Sequence, residues 1–341
     1  MEDRNSMERY WLWLCSCPGL LRPQIAGLIG FFQNPRNIYE AQTRELLRWK
    51  KLADAETTRW VNALVNYKDT TSAAEAEEML NKRKLRFVSR QSVHFPQKLL
   101  NLPDCPYGLF FRGRLPDPLR RAVAVIGARK CSNYGQQMAV VLGRVLAREG
   151  YQVVSGMAAG IDGISQEACI GENGVSYAVL GCGADVCYPE ENRTLYDRLS
   201  EKGGVISELP PMTPPLKHHF PMRNRLISGL SDAVIVVEAR AQSGSLITAD
   251  LALDQGKEVY AVPGRFNDML SYGCHRLIEQ GAGIVLSTDN LLENLAMALN
   301  LERIPPRQED LLRRLPQDMG DDEKKVYHVL GFDARSIDEI A

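Results

Sequence analysis

The segment from residue 217 to 225 contains the side chains whose types and spacing suggest chemistry most clearly. It reads Lys217, His218, His219, Phe220, Pro221, Met222, Arg223, Asn224, Arg225. An aromatic ring among cations is typical of single-strand nucleic-acid binding, in which bases stack and phosphates pair with cations. The plainer alternative buries Phe220 as an apolar staple at a helix start and leaves both arginines as solvated surface. No Glu or Cys follows the two histidines at metal spacing, so we predict no metal site.

Loops rich in glycine and hydroxyl residues follow several predicted strands. In the loop after the first predicted strand of the sheet, Gly127 allows a tight turn, and Ser132 or Asn133 can cap the next helix. Arg129 stands where the dinucleotide-binding fingerprint has its second glycine. That replacement argues against NAD or FAD, and we predict no cofactor. An arginine fork and the Ser243–Ser245 turn at a helix start both suit phosphate. For any single loop, the residues are explained by ordinary turn formation. Several such loops at the same edge of the sheet favour a ligand that carries phosphate.

The candidate DNA- or phosphate-binding residues come from these loops and from the basic segment. They are Arg129, Lys130, Ser155, Gly156, Gly160, Asn192, Lys217, Phe220, Arg223, Asn224, Arg225, Ser243, Gly244, Ser245 and Thr248.

Acidic residues near predicted strand ends give no catalytic group. Asp162, Asp185 and Glu208 lack a paired histidine or nucleophile at a telling spacing, and we expect Asp162 to cap a helix. Cys182 would act as a nucleophile only with a base close by. The sequence therefore predicts a binding protein rather than an enzyme.

The elements that position these loops alternate between strand and helix from residue 122 to about 286. The predicted strands are Ala122–Ile126, Val153–Val154, Tyr177–Leu180, Val205–Ile206, Ala233–Val237, Val259–Val262 and an edge strand at Gly283–Val285. Strands separated by helices predict an α/β fold with an extended Rossmann-like, doubly wound, mostly parallel sheet, whose ligands lie at the carboxyl ends of the strands.

The flanking segments predict further units. Residues 1–75 read as a helical domain resembling a SAM or helix-hairpin-helix bundle; a structural or protein-contact role is favoured, because the Pro18–Gly19 turn carries no cation. Residues 76–120 are predicted to be a connector packing on the central domain, in which Lys82–Lys84 is solvated surface and Leu109–Gly113 a short strand. We predict a DNA-binding domain over 121–299, a linker over 300–320 and an incomplete winged-helix-like segment over 321–341.

Composition limits the classes of function. The 341 residues are 45% hydrophobic and hold 41 Lys and Arg against 42 Asp and Glu, so a nucleic-acid site must come from local clustering. The eight cysteines include no CxxC pair, which favours reduced thiols over zinc ligands or disulfides. Since no signal-peptide region or membrane-length apolar run is present, we expect a soluble, cytoplasmic protein without membrane contact.

Taken together, the motifs resemble the DprA/Smf family over roughly residues 90 to 290. The matching segments are Gly127–Arg129, Ser155–Asp162, Tyr188–Asn192, Phe220–Arg225, Ser243–Ala249 and Ala261–Gly264. Three positions depart from the family pattern: Ala159 replaces an arginine, Gln166 a histidine and His275 an asparagine. We expect these changes to weaken one edge of the pocket.

The resemblance implies a protein that binds single-stranded DNA, protects incoming DNA and loads the RecA recombinase during natural transformation, acting as a homodimer. It implies that Arg129 and Arg223 are the main phosphate contacts, that Asn224 and Arg225 support them, and that Phe220 stacks on a base. The alternative is a nucleotide-processing enzyme of the phosphoribohydrolase, lysine-decarboxylase-like type. Its Gly-Thr pair and glutamate have no counterpart in Ser243–Asp250.

Overall fold

The computed structural model describes residues 2–50 and 55–299. The helices are α1 (Glu2–Ser16), α2 (Arg22–Phe32), α3 (Pro35–Glu40), α4 (Thr43–Lys50), α5 (Ala55–Thr70), α6 (Ala73–Lys82), α7 (Gln97–Leu100), α8 (Asn133–Arg148), α9 (Ile161–Gly171), α10 (Arg193–Lys202), α11 (His219–Leu230), α12 (Gly244–Asp254), α13 (Tyr272–Glu279) and α14 (Thr288–Ala298). The strands are β1 (Arg86–Ser89), β2 (Gly108–Gly113), β3 (Ala122–Ile126), β4 (Gln152–Ser155), β5 (Val175–Val179), β6 (Gly204–Ser207), β7 (Ala233–Val236), β8 (Glu258–Ala261) and β9 (Gly283–Ile284).

The nine strands form one sheet in the order β1-β2-β6-β5-β4-β3-β7-β8-β9. The seven strands from β6 to β9 pair in parallel, while β1 and β2 extend one edge with antiparallel pairing. The predicted α/β fold with a mostly parallel sheet is therefore confirmed, as is an edge strand at Gly283. β1 was not predicted, because only Phe87 and Val88 of its four residues are apolar.

The centre of the sheet is buried on both faces because helices pack above and below it. Every residue of β3, β4, β6 and β7 is buried. Apolar side chains of α11 (Leu226, Ile227 and Leu230) join the same core as the strands. Burial of continuous apolar strands is the expected signature of a helix-covered parallel sheet.

Strand order reverses next to β3, which pairs with β4 on one side and with β7 on the other. Loops that follow β3 and β7 therefore leave the sheet in opposite directions and open a crevice between them. In open α/β sheets this switch point, at the carboxyl ends of the strands, is where ligands bind.

Helices α1 to α6 share an apolar cluster with the antiparallel edge of the sheet. Trp11, Trp13 and Leu28 are fully buried in it together with Phe110 of β2, and the Trp11 ring stacks on Tyr107 at 5.4 Å. Helix α1 ends at Ser16, just before the Pro18–Gly19 turn, and α2 ends at Phe32. The Asn34 side chain then accepts a hydrogen bond from the Asn37 N–H at 2.8 Å and starts α3.

The prediction that the basic segment Lys82–Lys84 is solvated surface is wrong in part. Lys82 is exposed, but Arg83 forms an ion pair with the buried carboxylate of Asp185, with 2.9 Å between Nη1 and Oδ2. This ion pair ties the start of the connector to the loop after β5.

The chain divides into two compact units, Met1–Leu286 and Ser287–Ala341. In the second, the described part is α14, whose first turn is capped because the Ser287 hydroxyl accepts from the Asn290 N–H at 3.1 Å. The predicted linker and winged-helix-like segment lie outside the described residues. No helix in the described ranges is both long and apolar enough to cross a membrane.

Candidate nucleic-acid interface

A cavity of about 770 Å³ opens at the switch point, above the carboxyl ends of β3 and β7. Ten of the fifteen predicted site residues line it: Arg129, Lys130, Lys217, Phe220, Arg223, Asn224, Ser243, Gly244, Ser245 and Thr248. The other five, Ser155, Gly156, Gly160, Asn192 and Arg225, do not. The loops after β3 and β7 and the first turns of α11 and α12 thus form its walls, which we call the switch-point cavity.

Exposed cations surround this cavity. Arg129, Lys130 and Lys217 are solvent-exposed lining residues, and Arg240 is a fourth. Arg240 was not among the predicted site residues, although it lies in the loop after β7 that also carries Ser243. Asp162 is the one acidic side chain among the described lining residues, so the cavity is positive although the whole chain is nearly neutral.

The aromatic side of the cavity is built by Phe220 and Tyr188. Their ring centres lie 5.4 Å apart, and the Arg129 guanidinium carbon lies 5.2 Å from the Phe220 ring centre. Gly181 allows Phe220 to lie this close to the sheet, because a Cβ there would be 2.9 Å from the ring. Phe220 is half-buried and lines the cavity, so its ring packs at the helix start and stays partly exposed to the cavity.

The start of α12 forms another part of the cavity wall. Ser243 is the N-cap: its hydroxyl accepts from the Ser245 N–H at 3.4 Å and lies 2.7 Å from the Ser245 hydroxyl. The Asn224 side chain reaches from α11 and donates to the Gly244 carbonyl at 3.3 Å. Free N–H groups and hydroxyls at a helix start favour an anion, which fits the predicted phosphate role.

Arg223 lies at the cavity floor and is only 7% exposed. Its Nη1 donates to the carbonyls of Gly156, at 3.1 Å, and of Val179, and its Nε donates to Asn224. Burial lowers the pKa of the guanidinium to about 10, and nearby Asp162 opposes this shift. Arg223 therefore links the loop after β4 to the end of β5. Its charge also adds positive potential at the floor of the cavity.

Asp162 does not cap a helix, contrary to the expectation from sequence; Gly160 occupies the N-cap of α9. The Asp162 carboxylate instead accepts from the Gly156 N–H at 3.1 Å. Burial raises the pKa of this carboxyl, and Arg223 opposes the shift. Asp162 is thus the counter-charge of Arg223 in the floor.

Arg225 lies on another side of α11, away from the cavity. Its guanidinium pairs with Asp104, with 2.5 Å between Nε and Oδ2, and with Glu208, with 2.7 Å between Nη2 and Oε2. Its side chain is 8% exposed. The structure therefore places Arg225, itself buried, in an ion-pair cluster with the partly exposed Asp104 and Glu208 that anchors α11. A phosphate contact would need these pairs to break.

The remaining predicted residues shape the loops from inside. The Ser155 hydroxyl donates to the Val125 carbonyl at 2.6 Å, and Asn192 donates to the Met157 carbonyl at 2.9 Å. Gly160 has a φ of 77°, and a Cβ there would strike the Ala128 and Arg129 carbonyls. These residues hold the Arg129 loop against the next loop without lining the cavity.

The departures from the family pattern do not lie on the cavity wall. Gln166 is fully buried; it accepts from the Met157 N–H at 3.0 Å and donates to the Tyr177 carbonyl at 3.0 Å. Ala159 is not a lining residue, and His275 contacts the Gly264 carbonyl at 3.0 Å between Nε2 and O. None of the three positions lines the switch-point cavity, so the expected weakening of one edge of the pocket does not follow from them.

Groups considered for catalysis have structural roles. Asp185 pairs with Arg83, and Glu208 pairs with Arg225. Burial raises the pKa of the Cys182 thiol to about 12, which opposes a nucleophilic thiolate at neutral pH. Among the described residues, no group of three or more His, Cys, Asp or Glu side chains is placed to hold a metal ion.

A larger cleft of about 1350 Å³ lies between α1, α6 and the edge strand β1. It carries the exposed arginines Arg9, Arg86 and Arg114. No helix start belongs to its described lining, and no loop from the switch point reaches it. The switch-point cavity combines cations, two neighbouring aromatic rings and a helix start, and it is therefore the candidate interface.

Comparison with known proteins agrees with these features. The family model for DNA recombination-mediator protein A matches residues 86–296, more than half of the chain. Protein Smf of Escherichia coli is 44% identical over 214 residues, which are 62% of this chain and 57% of that protein, so the chain spans less than two thirds of that relative. DNA processing protein DprA of Bacillus subtilis is 42% identical over 60% of this chain and 69% of its own length.

Two solved structures share the fold. The X-ray structure of DNA processing protein A from Streptococcus pneumoniae is 33% identical and superposes with a TM-score of 0.71, covering 84% of this chain and 97% of that one. A structure of DNA processing protein A from Helicobacter pylori, which concerns the single-stranded DNA binding mode of that protein, is 30% identical with a TM-score of 0.57, covering 63% and 96%. This chain belongs to the DNA recombination-mediator protein A family, also known as DprA or Smf.

Proposed function

We propose that this protein binds single-stranded DNA in the switch-point cavity as a recombination mediator, without catalysing a reaction on it. One observation carries the proposal: Arg129, Phe220 and Tyr188 bring a cation and two aromatic rings together in the same cavity that the α12 start lines. A ligand that carries both a phosphate and an aromatic base is needed to use both parts of the cavity at once.

Binding would divide between the two parts of each nucleotide. Phosphates pair with the exposed Arg129, Lys130, Lys217 and Arg240 and with the N–H groups at the start of α12. A base stacks on Phe220, which Tyr188 supports from the side. Stacking and charge pairing read no base edge, so sequence preference should be weak.

Relatives support the choice of ligand. The Helicobacter pylori protein is described with a single-stranded DNA binding mode, and it shares 30% identity with this chain. We extend that ligand to this chain because its own cavity offers the required chemistry.

The wider biological role is also a proposal. We propose that the protein acts in the cytoplasm as a homodimer, protects incoming DNA and loads RecA on it during natural transformation. We further propose that residues 1–75 form a helical domain joined by a connector over 76–120, and that 121–299 carry DNA binding. A linker over 300–320 would lead to a winged-helix-like segment over 321–341.

A nucleotide-processing enzyme is disfavoured by the position of its required groups. Ser243–Asp250 stand where the rival family has its Gly-Thr pair and glutamate, and Asp250 is exposed on α12 outside the switch-point lining. Incubation with nucleoside monophosphates should release no free base; turnover would replace the binding proposal with the enzyme.

The proposal is tested by fluorescence anisotropy with an unstructured labelled oligonucleotide, with and without RecA. Wild-type protein should bind in a salt-sensitive manner, and Arg129→Ala should weaken binding at least tenfold. Arg36→Ala on α3, an exposed arginine paired with Glu40, serves as the matched control. Equal binding by wild type and Arg129→Ala would remove the site assignment.

A further inference from the structure

Glu238 is a buried carboxylate that none of the proposed DNA contacts uses. It lies two residues after the end of β7, the strand that pairs with β3, and is 1% exposed. No Lys or Arg in the described part of the chain forms an ion pair with it. A buried carboxylate without a cation needs other donors, because desolvation of an unpaired charge is costly.

Those donors come from the start of α8, the helix that follows β3. The Ser132 N–H donates to Glu238 Oε2 at 2.9 Å, and the Ser132 hydroxyl donates to Oε1. The same hydroxyl accepts from the Gly135 N–H at 3.0 Å, which makes Ser132 the N-cap of this 16-residue helix. The positive end of the helix dipole therefore faces the carboxylate.

The first turn of α8 is shaped around this group. A Cβ at Gly135 would collide with both oxygens of the Glu238 carboxylate, so only glycine permits the approach. The carboxylate thus occupies the space directly in front of the helix start.

This position has a defined use in doubly wound folds. The helix after the first strand at the switch point receives the pyrophosphate of a dinucleotide at its N-terminus. In this chain β3 and α8 hold that place, and the Glu238 carboxylate stands where a phosphate oxygen would accept the same donors.

We propose that Glu238 is a specificity-determining residue that excludes nucleotide phosphates from the α8 N-terminus. Its carboxylate accepts both donors of the N-cap residue Ser132, fills the space in front of the helix start and repels a second anion. Anion binding at the switch point is thereby confined to the exposed cations and the α12 start. The proposal concerns nucleotide exclusion and stands whether or not the cavity binds single-stranded DNA.

Pyrophosphate is the probe, and titration calorimetry measures its binding in chloride buffer. Arg129→Ala serves as the background, because it removes the main cation of the neighbouring cavity. Adding Glu238→Ser, which vacates the position and leaves a small hydroxyl, should tighten pyrophosphate binding at least tenfold over the background. Adding Glu238→Gln, which keeps the position filled, should give no such gain.

Hydrogen exchange locates the bound anion. Pyrophosphate should slow exchange of the amides of Ser132–Gly135 in the E238S protein and leave them unchanged in the wild type. Two results would overturn the proposal. One is a folded protein with Glu238→Ser added to Arg129→Ala that binds pyrophosphate no more tightly than Arg129→Ala alone. The other is protection of these amides by pyrophosphate already in the wild type. If E238S is unfolded in dilute buffer, added pyrophosphate should restore its helical circular dichroism, and failure to do so also counts against the proposal.

Discussion

The guanidinium carbon of Arg129 lies 5.2 Å from the centre of the Phe220 ring, although the two residues are more than ninety positions apart in the chain. The arginine follows β3 and is exposed; the phenylalanine opens α11 and is half-buried. A base stacked on Phe220 would therefore have a cation at its edge, within reach of the adjoining phosphate.

Replacing Phe220 with alanine should weaken binding of an unstructured oligonucleotide by about 1–3 kcal/mol, the usual worth of one stacked base. Anisotropy at constant salt measures the change. Phe31→Ala removes a phenyl ring that is 49% exposed on α2 and should leave affinity unchanged. Equal losses in the two variants would show that the effect is not specific to the cavity.

Single replacements of Lys130, Lys217 or Arg240 by alanine should reduce the salt dependence of binding. Each lost phosphate contact on a single strand lowers the slope of log K against log salt by about 0.7. Lys82→Ala on α6, where the amine is paired with Glu78 and 72% exposed, should keep the wild-type slope. A variant that loses affinity but retains the full slope would show that its cation does not contact a phosphate.

Arg225→Met should destabilise the fold rather than the DNA contact. Removing the guanidinium leaves Glu208, whose side chain is 19% exposed, and the more exposed Asp104 without their partner. Breaking a fully buried pair costs about 3–5 kcal/mol, and solvent screening makes the expected loss here smaller. Denaturant unfolding measures this loss. Affinity for DNA, tested under conditions where the variant is folded, should stay within threefold of the wild type.

A double variant sharpens that test. Glu208→Gln removes the charge that Arg225 neutralises, so Arg225→Met with Glu208→Gln should be more stable than Arg225→Met alone. A tenfold loss of DNA affinity in a fully folded Arg225→Met protein would instead support the direct contact expected from the sequence.

His219 should make stability fall in mild acid. It is 5% exposed, and burial, with a smaller effect of neighbouring His218, lowers its pKa below the ordinary value of 6.5; backbone groups of Pro214 and Gly181 oppose the shift. Below pH 6.5 the unfolded chain takes up a proton that the folded chain does not, so stability is present above that pH and lost as pH falls.

The difference between wild type and His219→Gln isolates this effect from the carboxylates. Between pH 7.5 and 5 the wild type should lose more unfolding free energy than the variant, at a slope of at most about 1.4 kcal/mol per pH unit. Parallel stability curves for the two proteins would contradict a depressed pKa.

The sheet was predictable because each central strand contains two or more adjoining apolar residues and helical segments separate the strands. The rim was predictable because parallel strands end at one edge. Arg129 and Ser243 were found by that rule. The assignment of both Arg223 and Arg225 to the cavity failed for a geometric reason: at 3.6 residues per turn, positions two apart point about 200° apart, so they cannot face one ligand. Glu238 gave no signal, since its hydrogen bonds to Ser132 depend on two strands being neighbours in the sheet and not in the chain.

Photo-crosslinking locates the bound strand. An oligonucleotide containing 5-iodouracil should form adducts, identified by mass spectrometry of the digested protein, on the peptides that contain Tyr188 or Phe220. Arg129→Ala should reduce their yield, and Arg36→Ala should not. Adducts confined to Trp11 or Phe87, which line the cleft between α1, α6 and β1, would place the DNA at the other cavity and contradict binding at the switch point.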